Sequence, residues 1–217
     1  STLVSTETAT SQAGLADGVD EIRRVVRTEI SRGAQWIKFM ATGGFSSPSD
    51  EPSMVPYSQE EINVLVQTAR GMNTPVAPHA YGDEGIRRAV NAGVRSIEHG
   101  NLASPETLRL MEAKGVFLVP TLCAVVRQAR MADDDAFWEK AGRAPYVRAK
   151  YRKYAKAILD SVRNLAASNV KVALGTDIGT FSYERNGAVE FGARWPTSWR
   201  CPAIRSRTFA SPRRLIS

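Results

Sequence analysis

The sequence predicts an α/β fold made of parallel βα units, of the kind that closes into a (βα)8 barrel. From about residue 20 to about residue 193, short apolar runs alternate with amphipathic stretches, and strands separated by helices form parallel sheets covered on both faces. The early strands follow one another at intervals of roughly 20 to 25 residues, the short regular unit of a barrel. No G-x-G-x-x-G follows any strand, so dinucleotide binding has no support. A doubly wound open sheet is the rival architecture.

The elements follow in order. Asp17 or Asp20 caps a first helix whose apolar positions Ile22, Val25, Val26 and Ile30 share one face, and Gly33 stops it. AQWIKFM reads as a strand ending in the turn Gly43-Gly44 and the polar loop SSPSDEPS. Ser58 opens a helix through Ile62, Leu65, Val66 and Ala69 that stops at Gly71. TPVAPHA is the next strand, with Pro75 and Pro78 counting against a central place in a sheet. A helix from Asp83 to Asn91, the strand VRSIEHG and a helix from Ser104-Pro105 to Gly115 come next. VFLVPT is a fourth strand. A longer insertion containing the helix YVRAKYRKYAKAILDSVRNLAAS leads to the fifth, VKVALGTD.

With 217 residues, 43% hydrophobic and 24% charged, the chain has the make-up of one soluble globular domain or part of a larger one, not of a disordered or collagenous chain. No apolar run approaches the roughly 20 residues that span a bilayer, so a membrane partner is not expected. The segment STLVSTETATSQAG lacks the basic start and apolar stretch of a signal peptide, which favours the cytoplasm. Cys123 and Cys201, the only two cysteines, make no disulfide framework. A net charge of +7 would ordinarily suggest nucleic acid as a partner. Six arginines and no acid lie in residues 194–217, however, which leaves the remainder at +1. The basicity belongs to the tail, and a nucleic-acid partner is not expected of the body.

The only two histidines, His79 and His99, each end a strand, and each precedes a small residue. Lys38 sits in the preceding strand, and Asp177 ends the last one in LGTDIG. Strand ends of a βα barrel converge on one bowl where active sites gather. Two neutral imidazoles and a carboxylate suit zinc or a similar divalent ion. The bland alternatives are hydrogen-bonded core histidines, an aspartate capping the next helix and a lysine snorkelling to solvent. Burial would instead lower the pKa of Lys38 and favour the neutral amine, the form that adds carbon dioxide to give a carbamate.

The segments ADGVDEIRR, GAQWIKFMATGGF, PVAPHAYGDEGIRRAVNAGVRSIEHGNL, LMEAKGVFLVPTL and VALGTDIGT resemble the amidohydrolase superfamily, most closely its zinc-dependent prolidase-like and Xaa-Pro or Xaa-Arg dipeptidase branch. The likeness runs from about residue 15 to residue 193. It implies part of a (βα)8 barrel, the fourth to eighth strands with their helices, without the first three strands and the flanking β-sandwich. It also implies a one- or two-metal zinc centre with Lys38 as the carboxylated bridge, His79 and His99 as ligands, and Asp177 as both ligand and proton shuttle. Tyr81, in a variant HAYG motif, would bind a substrate carboxylate or carbonyl, or else pack at the barrel rim. The implied reaction is hydrolysis of the amide bond of a small peptide or N-acyl amino acid, with homo-oligomerisation left open. An imidazolonepropionase-like cyclic-amide hydrolase is the alternative chemistry. A catalytically inactive fragment is the alternative class, because the family's H-x-H ligand pair is not in this sequence.

Residues 1–193 therefore read as a partial metal-dependent hydrolase barrel and 194–217 as an aberrant basic tail. RWPTSWRCPAIRSRTFASPRRLIS has no helical or strand periodicity. Synonymous codons exist such that reading it one nucleotide earlier gives ALADVVAMSGNPLTDIRVTQAVDF, which resembles the superfamily's C-terminal "ADVV…GNPL.DI" segment. The expectation is an out-of-frame tail.

Overall fold

The computed structural model describes residues 2–4, 14–175 and 177. The basic tail, residues 194–217, lies outside the described residues. Among the described residues, seven parallel strands form one sheet in the order β2-β1-β3-β4-β5-β6-β7. All five expected strands are there, as β3 (Ile37–Met40), β4 (Val76–Gly82), β5 (Ser96–Leu102), β6 (Phe117–Val119) and β7 (Lys171–Val172). Two short ones that the sequence reading missed, β1 (Thr2–Val4) and β2 (Gly14–Leu15), extend the edge beyond β3. Runs of three and two residues are too short to show a period, so alternation could not reveal them.

From β3 onward each strand lies beside the one before it in sequence. From β3 to β7 this consecutive parallel order is that of a barrel, whereas at the other edge β1 stands between β2 and β3, the reversal found in a doubly wound sheet. Proline did not exclude β4 from a central place. Pro78 stands between β3 and β5 opposite Phe39, and a seven-residue strand paired on both sides tolerates one missing donor.

The helices carry the sequence's punctuation. Helix α2 (Gln59–Gly71) opens with a reciprocal capping box: the Ser58 hydroxyl accepts from Glu61 N and the Glu61 carboxylate accepts from Ser58 N. The other Glu61 oxygen accepts from Gly18 N at 3.0 Å, so one carboxylate serves two helix starts. Helix α1 (Val19–Ser31) consequently begins at Gly18, with no side chain of its own as cap. α3 (Asp83–Ala92) and α4 (Pro105–Lys114) stop at left-handed Gly93 and Gly115. The excursion between β6 and β7 holds three helices, α5 (Leu122–Arg130), α6 (Asp135–Ala141) and the long α7 (Pro145–Ala166).

Burial follows the two periods. Ile37, Phe39, Val76, Ala80, Ile97 and Leu118 face the helices and join Ile22, Ile62, Leu65, Ile86 and Leu108 in the main core. A second core lies around the strand ends, where Phe45, Tyr81, Val125, Trp138, Tyr151 and Ile158 pack together. Phe45 stacks on Tyr151 with ring centroids 4.2 Å apart. This second core roofs the region where the polar residues gather.

Candidate active site

Strict alternation puts Lys38, His79, Tyr81 and Glu98 on the face turned away from the helices, since their neighbours Ile37, Phe39, Ala80 and Ile97 are in the main core. Lys38 lies one layer below His79, because the register pairs Lys38 with Ala77 and Met40 with His79. β4 continues through Tyr81 to Gly82, so Tyr81 points into the same bowl.

His99 reaches that bowl by a different route. Alternation would place it beside Ile97 on the helix side, yet its ring centroid is 4.7 Å from that of His79 and 4.6 Å from that of Tyr81, on which it stacks. The alternation breaks at left-handed His99 (φ 77) and Gly100 (φ 63), where the β4–β5 register also shifts between Ala80 and Gly82. Such a bulge re-aims a side chain. Asp177, beyond β7, also has a left-handed backbone (φ 52) and is exposed.

The imidazoles are held neutral. Burial, and next the Lys38 charge, push His79 down to about 3. Burial, then His79 and Lys38, hold His99 well below the ordinary histidine value. Burial also lowers Lys38, while the charges of Glu98 and Asp177 pull it back up. Tyr81 is raised by burial and by its neighbours Tyr151 and Asp177, with Arg143 opposing. Lys38, His79, His99, Tyr81 and Asp177 therefore share one electrostatic neighbourhood. Among the described residues no three His, Cys, Asp or Glu side chains converge. The candidate donors are the two imidazoles, with the Lys38 amine in the same neighbourhood.

Hydrogen bonds fix the rings. His79 Nε2 lies 3.4 Å from the Gly43 carbonyl, a long contact, and a Cβ on Gly44 would come within 3.5 Å of the same nitrogen. His99 Nδ1 lies 2.7 Å from Thr121 Oγ1. Ser96 Oγ donates to Glu98 at 2.8 Å. The loop after β3 is clamped from α7: buried Lys150 donates to the carbonyls of Gly44, Ser47 and Asp50 and pairs with the Asp50 carboxylate at 3.2 Å. Tyr146 Oη donates to Ser46 O, and Tyr154 Oη meets Ser53 Oγ at 3.0 Å.

The sequence reading missed Glu98, Thr121, Lys150 and Asp50. Glu98 and Thr121 had a usable signal, since both sit near strand ends in quoted motifs. Lys150 had none, because its partner loop lies about 100 residues away. A shallow cleft of about 610 Å³ opens at the opposite ends of the strands, among Val66, Arg70, Arg95 and Lys114. Arg70 and Lys114 end helices there and offset their dipoles, and the cleft brings together no acid–base pair.

A parallel sheet in barrel order, with its polar cluster at the C-terminal strand ends, defines the chain as part of a (βα)8 barrel. The chain belongs to the amidohydrolase family, whose model matches residues 3–195. It is 35% identical over 201 residues to ochratoxinase of Aspergillus niger, covering 91% of this chain and 40% of that protein. Among solved structures it resembles a Xaa-Pro dipeptidase with methionine bound in the active site (35% identity, TM-score 0.72, 82% of this chain and 43% of that one). It also resembles a prolidase in complex with N-methylphosphonate-L-proline (40% identity, TM-score 0.65, 76% and 39%). The chain spans about 40% of the length of the curated relatives it matches first.

Proposed function

We propose that the chain supplies metal-binding and proton-transfer residues of a hydrolase that cleaves the amide bond of a dipeptide or N-acyl amino acid. The observation that carries this reading is the pair His79 and His99, edge to face at 4.7 Å and both held neutral beside Lys38. Neutral imidazole is the ligand form, and a lysine shifted towards its neutral amine is the form that adds carbon dioxide. The donor set therefore fits a divalent ion of zinc's kind. When bound, such an ion polarises the scissile carbonyl and acidifies a water molecule.

His79 and His99 would hold the metal, with the carbamate of Lys38 as the oxygen donor; the family resemblance adds Asp177 as a further ligand, although its carboxylate does not converge with the two rings in this structure. Asp177 would take the proton of the attacking water and deliver it to the leaving amine. Tyr81, a neutral phenol stacked on His99, would orient the substrate carboxylate or carbonyl. The Phe45–Tyr151 wall excludes water from that side. The dipeptidase and prolidase among the related structures support a dipeptide as substrate.

Zinc titration of the metal-free chain, followed by assay on Xaa-Pro dipeptides and N-acyl amino acids, tests the proposal. Zinc uptake lost in both His79→Ala and His99→Ala, with turnover in the parent chain, is the expected result. Equal uptake by all three proteins would overturn the metal site. Uptake without turnover would favour the inactive-fragment alternative.

A further inference from the structure

Thr121 stands in three unfavourable situations at once. Its backbone is left-handed (φ 44), uncommon for any residue with a Cβ and a marked outlier for a β-branched one. It occupies the N-cap position of α5, where a threonine hydroxyl ordinarily accepts from a backbone N–H of the first turn, yet it makes no such bond. It is also 3% exposed, so its hydroxyl is out of reach of bulk water. Among the described residues one contact uses that hydroxyl, the 2.7 Å hydrogen bond to His99 Nδ1. His99 is itself left-handed and 6% exposed. A second bond fixes the same junction, from Asn101 Nδ2 to the Pro120 carbonyl at 3.0 Å. Strain held where the surroundings over-determine it marks a functional constraint more often than an accident.

We propose that Thr121 is a positioning residue that selects the tautomer of His99. With Nδ1–H donating to Thr121 Oγ1, the lone pair of Nε2 is left for a ligand. The ring face is already covered by Tyr81 and its edge meets His79. A metal-bound histidine typically gives its other nitrogen to such a partner, and losing that partner costs 10- to 100-fold in affinity. The ligand side of the inference rests on the metal site proposed above, whereas the tautomer side does not.

With only two histidines in the chain, imidazole nitrogen spectra of the metal-free protein resolve each ring. Wild type should show His99 as one tautomer, protonated at Nδ1; protonation at Nε2, with the Thr121 hydroxyl donating to Nδ1 instead, would overturn the proposal. Thr121→Ser keeps the hydroxyl and should retain both that tautomer and zinc affinity within a few-fold. Thr121→Val should give mixed or reversed tautomers and bind zinc about 10- to 100-fold more weakly. Thr121→Gly accepts the left-handed backbone without strain and should fold even if the valine variant does not, again with the tautomer lost. A wild-type tautomer in Thr121→Gly or Thr121→Val would overturn the proposal, as would tautomer loss in Thr121→Ser. If the parent chain binds no zinc, the metal reading fails while the spectra still decide the role of Thr121.

Discussion

Replacing Lys150 by methionine keeps an unbranched stem of similar length and removes the ammonium. Lys150 is 6% exposed and Asp50 7%, so neither group can turn to bulk water for compensation. Loss of the ammonium leaves the Asp50 carboxylate buried without its cation and takes a donor from three carbonyls, those of Gly44, Ser47 and Asp50. Breaking a buried pair from one side costs about 3–5 kcal/mol, a large share of the 5–15 kcal/mol that typically holds a domain together. Asp50→Asn should cost less, about 1–3 kcal/mol, because the ammonium keeps its three backbone acceptors. The double variant should lose less than the sum of the two single losses, since no unpaired charge then remains. Urea denaturation of the four proteins, followed by tryptophan fluorescence, gives the cycle. A loss below about 1 kcal/mol for Lys150→Met, or strict additivity, would refute the buried clamp.

Three other expectations follow from the same geometry. Both histidines are depressed in the folded state, so below the ordinary histidine pKa of about 6.5 the unfolded chain binds more protons. The metal-free protein should therefore lose stability as pH falls from about 6.5 towards about 3, by at most about 1.4 kcal/mol per pH unit for each ring; equal urea midpoints at pH 7 and pH 5 would contradict this. Glu61→Ala removes the acceptor from both Ser58 N and Gly18 N and should cost more than the roughly 1 kcal/mol of an ordinary cap, with Ser58→Ala nearer that figure in thermal melts. The tail is proposed to be out of frame: sequencing the coding DNA should show codons for residues 194–217 that, one nucleotide earlier, read ALADVVAMSGNPLTDIRVTQAVDF. Any codon incompatible with that reading ends the idea.

What could be read in the sequence was what local periodicity and punctuation encode. The helix at Ser58, with Glu61 three residues on, is legible because a capping box is a short-range device. The strands Ile37–Met40 and Val76–Gly82 are legible because alternate residues meet the helices. That Lys38 and His79 share one face of the sheet was legible from alternation along their strands. The position of His99 was legible but not the way it enters the bowl, since a left-handed kink at a non-glycine residue leaves no trace in composition. Lys150 was illegible, because on an amphipathic helix a lysine reads as solvated and only the distant loop shows otherwise. Thr121 read as a strand residue, and its forgone cap emerges only when α5 is seen to begin behind it.

The clamp on the loop after β3 also bears on synthesis. Strands β3 to β7 each pair with the one made just before, so most of the sheet can assemble as the chain leaves the ribosome. Residues 44–53 cannot follow that schedule. Their polar groups must stay hydrated until Tyr146, Lys150 and Tyr154 emerge about 100 residues later, and long-range closure of this kind comes late. The wall beside His79 is thus the last part of the bowl to set, and in hydrogen exchange its amides should open before those of β4.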